Sequence, residues 1–149
     1  MDFSMVRPPR TWKGAGFVLF LSNSHSIQFS MGCGRSANTK SELLAMWAIL
    51  SVSKELGIPL HTLYGDSLVI ISWATGKGSL NLPHLSHWCD DLRDLLHNFP
   101  DLNLNHIYRE HNQIANSLSK TALSLDSGFG NFQEFWDDKI TDHGNFQLF

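Results

Sequence analysis

The sequence has few cysteines, no long hydrophobic run and little net charge. Its 149 residues include two cysteines, Cys33 and Cys89, which are too few for a disulfide scaffold. The longest apolar run, residues 43–50, is much shorter than the roughly 20 residues of a membrane-spanning helix. Residues 1–13 lack the apolar segment of a secretory signal. We therefore expect one globular domain without membrane association, in the reducing environment of the cytoplasm or nucleus.

The net charge of −3 is unevenly distributed along the chain. Beyond Leu123, five acidic residues stand against one lysine, whereas residues 1–123 carry ten basic and nine acidic residues. The main part therefore lacks the strong basic footprint of an obvious nucleic-acid-binding protein. Residues 124–149 also hold six aromatic residues without a helical or strand period. We expect this acidic aromatic tail to pack against another surface, either in this chain or on a protein partner. The sequence leaves the oligomeric state open.

Hydrophobic periodicity predicts the element order hairpin, helix, strand, helix, helix, strand, helix. Two short strands flank the turn at residues 22–24, and the capping-box pattern Thr39-x-x-Glu42 predicts the start of the first long helix. Residues 60–65 and 102–108 have the pattern of strands. A strand, a helix and a further strand in succession favour a parallel crossover. The predicted fold is α/β, with a mixed five-stranded sheet that has an antiparallel hairpin edge plus parallel strands and is flanked by helices.

Three carboxylates occupy places where a mixed sheet gathers side chains. Glu42 is predicted in the first turn of a helix, Asp66 follows a strand, and Asp2 lies near the N-terminus. Converging carboxylates suit Mg²⁺ or Mn²⁺, and two such ions can promote phosphodiester cleavage. Each residue also has a purely structural explanation. Glu42 completes the capping box, Asp66 caps the next helix, and Asp2 is a terminal surface charge.

Four sequence blocks occur in the order and at the spacing of a known family. Together they resemble the type 1 ribonuclease H fold, most closely the version in plant retrotransposon-derived proteins. The resemblance covers residues 14–123, with residues 1–13 as an irregular arm or truncated first strand and 124–149 as a tail. The blocks are Gly14-Ala15-Gly16-Phe17-Val18-Leu19, Asn38-Thr39-Lys40-Ser41-Glu42-Leu43, Tyr64-Gly65-Asp66-Ser67 with Val69-Ile70, and His106-Ile107-Tyr108-Arg109-Glu110-His111-Asn112-Gln113-Ile114-Ala115.

The resemblance implies a metal-dependent endonuclease that cleaves the RNA of RNA:DNA hybrids with two Mg²⁺ or Mn²⁺ ions held by four carboxylates. Glu42 matches the second carboxylate and Asp66 the third, while Asn116 stands where the family has an aspartate. Asp2 is the sole acid upstream of Gly14 and matches the first by distance. His111 lies near a loop histidine that moves protons or helps product release in the family, although the pattern there varies and an ordinary surface loop is the favoured explanation.

Two departures from the family pattern leave several interpretations open. Asn116 offers a carbonyl oxygen without charge, which predicts weaker cation binding. Residues 1–13 either carry Asp2 as a displaced ligand or are unrelated sequence joined to a truncated domain. The function is then a weakened hybrid endonuclease, a non-catalytic domesticated module that binds nucleic acid or a protein, or a retrotransposon remnant without a selected role. A separate alternative is a zinc site at His84-x-x-His87-x-Cys89.

Overall fold

The computed structural model describes residues 12–35, 38–80 and 83–149, so the predicted arm, except for Trp12 and Lys13, lies outside the described residues, as does Asp2. Within the described ranges the chain forms six strands, four α-helices and three short 3₁₀-helices. The strands are β1 (Trp12–Phe20), β2 (His25–Arg35), β3 (Thr62–Gly65), β4 (Asn103–His106), β5 (Phe129–Trp136) and β6 (Lys139–Gln147). The α-helices are α1 (Asn38–Glu55), α2 (Leu68–Ala74), α3 (Ser86–Leu96) and α4 (Gln113–Thr121). The 3₁₀-helices are Pro83–Leu85, Arg109–His111 and Ala122–Ser124.

The predicted element order is confirmed from β1 to α4, and the fold is α/β as expected. The described strands form an antiparallel sheet with the order β1-β2-β5-β6 and a separate parallel pair, β3-β4. The prediction of one five-stranded sheet therefore differs from the structure in both strand number and grouping. Two of the four antiparallel strands come from the tail, where no strand was predicted, and the predicted first strand lies mostly outside the described residues.

The tail contains a β-hairpin, although its sequence shows neither a helical nor a strand period. Its strands pair in antiparallel register, with Gly130 opposite Phe146 and Phe132 opposite Gly144. A Cβ atom on Gly130 would lie 2.3 Å from the ring of Phe146, so the aromatic ring occupies the space above the glycine. A register shift between Glu134 and Phe135 interrupts the alternation further. Glycine at inward-facing positions, together with this shift, hides the two-residue period that would have indicated strands.

The hairpin packs on the remainder of the antiparallel sheet through aromatic contacts. Phe29 of β2 is 5 % exposed and stacks on Phe17 of β1 with ring centroids 4.7 Å apart. On its other side, the ring of Phe29 lies 6.5 Å from that of Phe132 and 5.9 Å from that of Phe146. The expectation that the aromatic tail packs against another surface is therefore confirmed, and that surface belongs to this chain.

Helix α4 lies directly against the backbone of β1 because glycine occupies the contact positions. A Cβ atom on Gly14 would lie 2.2 Å from the carbonyl oxygen of Ser119, and one on Gly16 would lie 2.2 Å from that of Ala115. No larger residue fits at either position unless the helix moves. The Gly14-Ala15-Gly16 block therefore sets how closely α4 approaches the sheet.

The chain divides into two compact units, which are described separately. The first, here called the antiparallel unit, contains the residues up to Ser41 together with Ile114–Phe149. The second, the parallel unit, is Glu42–Gln113. It holds the β3-β4 pair and most of α1. Its fully buried leucines include Leu43, Leu50 and Leu92. No helix in the described part of the chain is long and apolar enough to cross a membrane.

Candidate active site

Asp66 lies at the carboxyl end of the parallel strand pair. Strand β3 ends at Gly65, which pairs with His106 at the end of β4. The amide of Ile107 donates a hydrogen bond to the carbonyl oxygen of Gly65 over 3.0 Å, which ties the segment after β4 to the residue before Asp66. The carboxyl ends of parallel strands are a common place for ligand-binding side chains in α/β proteins.

Ser67, and not Asp66, caps the helix that follows. Its hydroxyl oxygen accepts a hydrogen bond from the amide of Ile70 over 3.3 Å, and its backbone has the extended conformation of an N-cap residue. The structural explanation of Asp66 as a helix cap therefore fails. The side chain of Asp66 is half-buried.

Asn112 is the partner of Asp66 that the sequence analysis missed. Its side-chain nitrogen Nδ2 donates to Oδ2 of Asp66 over 3.3 Å, and both residues are half-buried. Asn112 immediately precedes α4, a position at which asparagine is a common helix cap. A usable signal was present, since Asn112 belongs to the block that follows the second parallel strand. The parallel pairing brings that block to the strand end where Asp66 lies.

His111 lies one residue before Asn112, at the end of the 3₁₀-helix Arg109–His111. Its side chain is exposed, and its backbone amide donates to the carbonyl oxygen of Tyr108 over 2.9 Å. An exposed imidazole with an ordered backbone is able to exchange protons with solvent or with a bound molecule.

The other predicted ligands are placed on two helices. Glu42 is the fifth residue of α1 and is half-buried. Helix α1 begins at Asn38, so Glu42 lies beyond the first turn, and the prediction that it completes an N-terminal capping box is wrong. Asn116 is half-buried on α4, in the antiparallel unit, and its backbone carbonyl oxygen accepts a hydrogen bond from the Ser119 hydroxyl over 2.6 Å.

Within residues 12–35, 38–80 and 83–149, no three histidine, cysteine, aspartate or glutamate side chains gather as a metal site would require. The zinc alternative is therefore wrong. His84 and His87 are exposed, whereas Cys89 is 7 % exposed, so the three side chains do not form one site. Asn116 is an amide and does not belong to these residue types, and Asp2 lies outside the described residues.

Neither cysteine has the character of a reactive thiol. Both are free and buried, and burial raises the pKa of Cys33 to about 12, against a smaller lowering effect from Lys40. Burial also raises the pKa of Cys89. Because the thiolate is the nucleophilic form, both groups are inert near neutral pH.

This fold and its strand-end site define a recognisable class of protein. The sequence profile of the reverse transcriptase-like family matches residues 10–122, so the chain belongs to that family. Ribonuclease HI of Halobacterium salinarum is 32% identical over 90 residues. The match covers 60% of this chain and 45% of that relative, so the chain spans less than half of its length.

Solved structures establish a ribonuclease H-like fold. The RNase H1 crystal structure from Halobacterium salinarum has a TM-score of 0.56 at 24% identity, covering 74% of this chain and 95% of that one. LC11-RNase H1, isolated from compost and crystallised in complex with an RNA/DNA hybrid, has a TM-score of 0.59 at 17% identity. The match covers 72% of this chain and 93% of the LC11-RNase H1 chain. The hairpin β5-β6 lies beyond the residues that the family profile matches.

Proposed function

We propose that this protein is a metal-dependent endonuclease that cleaves the RNA strand of RNA:DNA hybrids, with weakened cation binding. The observation that supports this proposal most directly is the place of Asp66. It follows the first of two parallel strands, does not cap the next helix and is held by Asn112. The relatives that share the fold include an RNase H1 crystallised with an RNA/DNA hybrid, which supports the same substrate class here.

The chemistry of the candidate ligands fits a hard divalent cation. Glu42 and Asp66 provide carboxylate oxygens, and Asn116 provides a neutral amide oxygen, which are donor types that Mg²⁺ and Mn²⁺ prefer. Two negative charges suit one cation, and a second cation would require Asp2 as a further ligand. When bound, such ions lower the pKa of a water nucleophile and stabilise the leaving oxygen. We assign to His111 the transfer of a proton to the leaving group or the product.

A second candidate function is a non-catalytic module that binds nucleic acid or a protein. Asn116 favours it, since a ligand without charge weakens cation binding. The hairpin β5-β6 favours a protein partner, because it is acidic and lies beyond residues 10–122, which the family profile matches. We also propose that the chain derives from a retrotransposon of the plant type, because its four sequence blocks resemble that version of the fold. A nuclear or cytoplasmic location is proposed because both cysteines are free.

The proposal is tested by incubating the protein with a labelled RNA:DNA hybrid in Mg²⁺ and in Mn²⁺. We expect slow cleavage by the natural chain. In Asp66→Asn the cleavage rate should fall at least about 100-fold, because removing a metal ligand lowers activity no less than removing a residue that supports a ligand. Asp101→Asn is the matched control, since Asp101 is an exposed aspartate in the same unit. Asn116→Asp should raise the rate by about tenfold or more by restoring a charged ligand.

Three results separate the two functions. Cleavage that is lost in Asp66→Asn and kept in Asp101→Asn supports the endonuclease. Cleavage by Asn116→Asp alone means that the natural chain is the non-catalytic module with one defective ligand. If neither the natural chain nor Asn116→Asp cleaves the hybrid, the endonuclease proposal is wrong. Hybrid binding with a steep salt dependence would then support the non-catalytic module.

A further inference from the structure

We propose that Asn112 is a positioning residue, which fixes the orientation of the Asp66 carboxylate and holds the His111 loop beside it. This inference rests on the proposed function, because it assigns to Asp66 the role of a cation ligand. It concerns a residue outside the predicted ligand set. The hydrogen bond between the two side chains, 3.3 Å long and half-buried, is the observation from which it starts.

The chemistry of the two groups determines the direction of this bond. An ionised carboxylate only accepts, so the amide nitrogen of Asn112 faces Oδ2 of Asp66 and its amide oxygen faces away. The terminal torsion of aspartate is intrinsically broad, and a charge-assisted bond from a fixed donor narrows it. Without that donor, the carboxylate of Asp66 samples more orientations, of which only some direct an oxygen towards a cation.

The segment that carries Asn112 is itself fixed at two points beside Asp66. At one end the amide of Ile107 donates to Gly65, and at the other the side chain of Asn112 donates to Asp66. The residues between these two bonds form a short closed loop that contains the 3₁₀-helix and His111. Tyr108 and His111 in this loop are exposed. Asn112 thus connects the ordering of the loop to the orientation of the carboxylate.

A simple helix-capping role for Asn112 predicts a different response to substitution. Serine is about as good an N-cap residue as asparagine, so Asn112→Ser keeps the start of α4. Serine is too short to reach Asp66 from the same backbone position, so the substitution removes the bond to the carboxylate. Asn105→Ser is the matched control, because Asn105 is an exposed asparagine on β4 in the same unit.

The first measurement is Mn²⁺ affinity, determined by electron paramagnetic resonance on the free protein without nucleic acid. We expect the Kd for Mn²⁺ to rise about tenfold in Asn112→Ser, which is typical for the loss of a residue that supports a metal ligand. The control should bind as the natural chain does. Thermal melting without metal should give the same transition for all three proteins. On the labelled hybrid, kcat should fall in Asn112→Ser while KM stays unchanged, a split that a purely structural defect would not produce.

Each outcome decides the inference. Unchanged Mn²⁺ affinity and kcat in a folded Asn112→Ser would overturn it and leave the endonuclease proposal standing. A natural chain that binds no Mn²⁺ would also overturn it, since there would be no ligand to orient. Weaker Mn²⁺ binding in Asn112→Ser, with no hybrid cleavage by any of the proteins, would support the positioning role and reject the endonuclease.

Discussion

The two compact units differ in how they are built and in what they offer to chemistry. The parallel unit contains the two charged candidate ligands that the structure describes, Glu42 and Asp66, together with the loop that supports Asp66. The antiparallel unit offers the neutral Asn116, and it has an added hairpin beyond the family match. The close packing of its sheet depends on glycine, whereas the parallel unit buries leucines from its helices. Among the described residues, the charged candidate ligands therefore lie in one unit, and the hairpin beyond the family match lies in the other.

The largest expected effect tests whether glycine packing governs the antiparallel unit. In Gly16→Ala the new methyl would lie 2.2 Å from the Ala115 carbonyl oxygen and 2.5 Å from the Ser119 amide nitrogen. Both are backbone atoms of α4, so the helix must shift, and we expect a loss of about 3 kcal/mol in the free energy of unfolding. Urea unfolding followed by circular dichroism measures it.

The control for Gly16→Ala is a glycine in the parallel unit. Gly57 has a φ of +67° and no atom within 4 Å of the place that a methyl group would take, so Gly57→Ala introduces backbone strain without a steric clash. Strain of that kind costs about 1–2 kcal/mol. Equal losses in the two variants would show that α4 moves away freely and that Gly16 does not set its position.

The next effect tests whether the hairpin is an integral part of the antiparallel sheet. The ring of Phe132 is half-buried and contacts that of Phe29, so Phe132→Ala should cost about 2 kcal/mol of unfolding free energy. Phe20→Ala is the control, because Phe20 belongs to the same sheet but is 72% exposed. If both substitutions have the same small effect in urea, the hairpin contributes little to the core.

The comparison of the two units also shows what the sequence predicts well. The helices and strands of the parallel unit follow uninterrupted hydrophobic periods, so their order could be derived from local pattern alone. The hairpin could not, because Gly130 and Gly144 stand at inward positions that a pattern search expects to be apolar. Glu42 and Asp66 were found as candidates from their places in the predicted elements, and Asn116 through the family resemblance. Asn112 was missed as a partner because its bond to Asp66 joins residues 46 positions apart.

A smaller effect is expected on the pH dependence of stability. It compares one buried cysteine from each unit, Cys33 and Cys89, in the alkaline range. Burial raises the pKa of Cys33 to about 12 from a reference value of 9.0, so the folded chain keeps its thiol proton longer than the unfolded chain does. The unfolded state is therefore favoured as the pH rises from about 9 towards 12, and stability falls in that window.

Urea unfolding at pH 8 and pH 10 measures this difference. We expect the stability of the natural chain to fall more between the two pH values than that of Cys33→Ala, since the variant has no thiol at that position to ionise on unfolding. Cys89→Ala should remove less of the fall, because burial raises the pKa of Cys89 less than that of Cys33, with Arg93 lowering it and Asp90 raising it. An identical pH dependence in Cys33→Ala and the natural chain would contradict the assigned cause.

The smallest effect concerns the polar contact between the hairpin and His25, the first residue of β2. His25 Nε2 lies 2.5 Å from Glu134 Oε2, and the imidazole stacks on Trp136 at 3.9 Å with an interplanar angle of 12°. The two side chains are only 16% and 27% exposed, so their interaction is partly shielded from solvent. A double-mutant cycle with His25→Phe and Glu134→Gln should give a coupling of about 1 kcal/mol. Phenylalanine keeps the stacking on Trp136, which isolates the polar contact. A coupling near zero would mean that strand pairing and the phenylalanine rings alone hold the hairpin, and that the antiparallel unit owes its added strands to packing without a specific polar link.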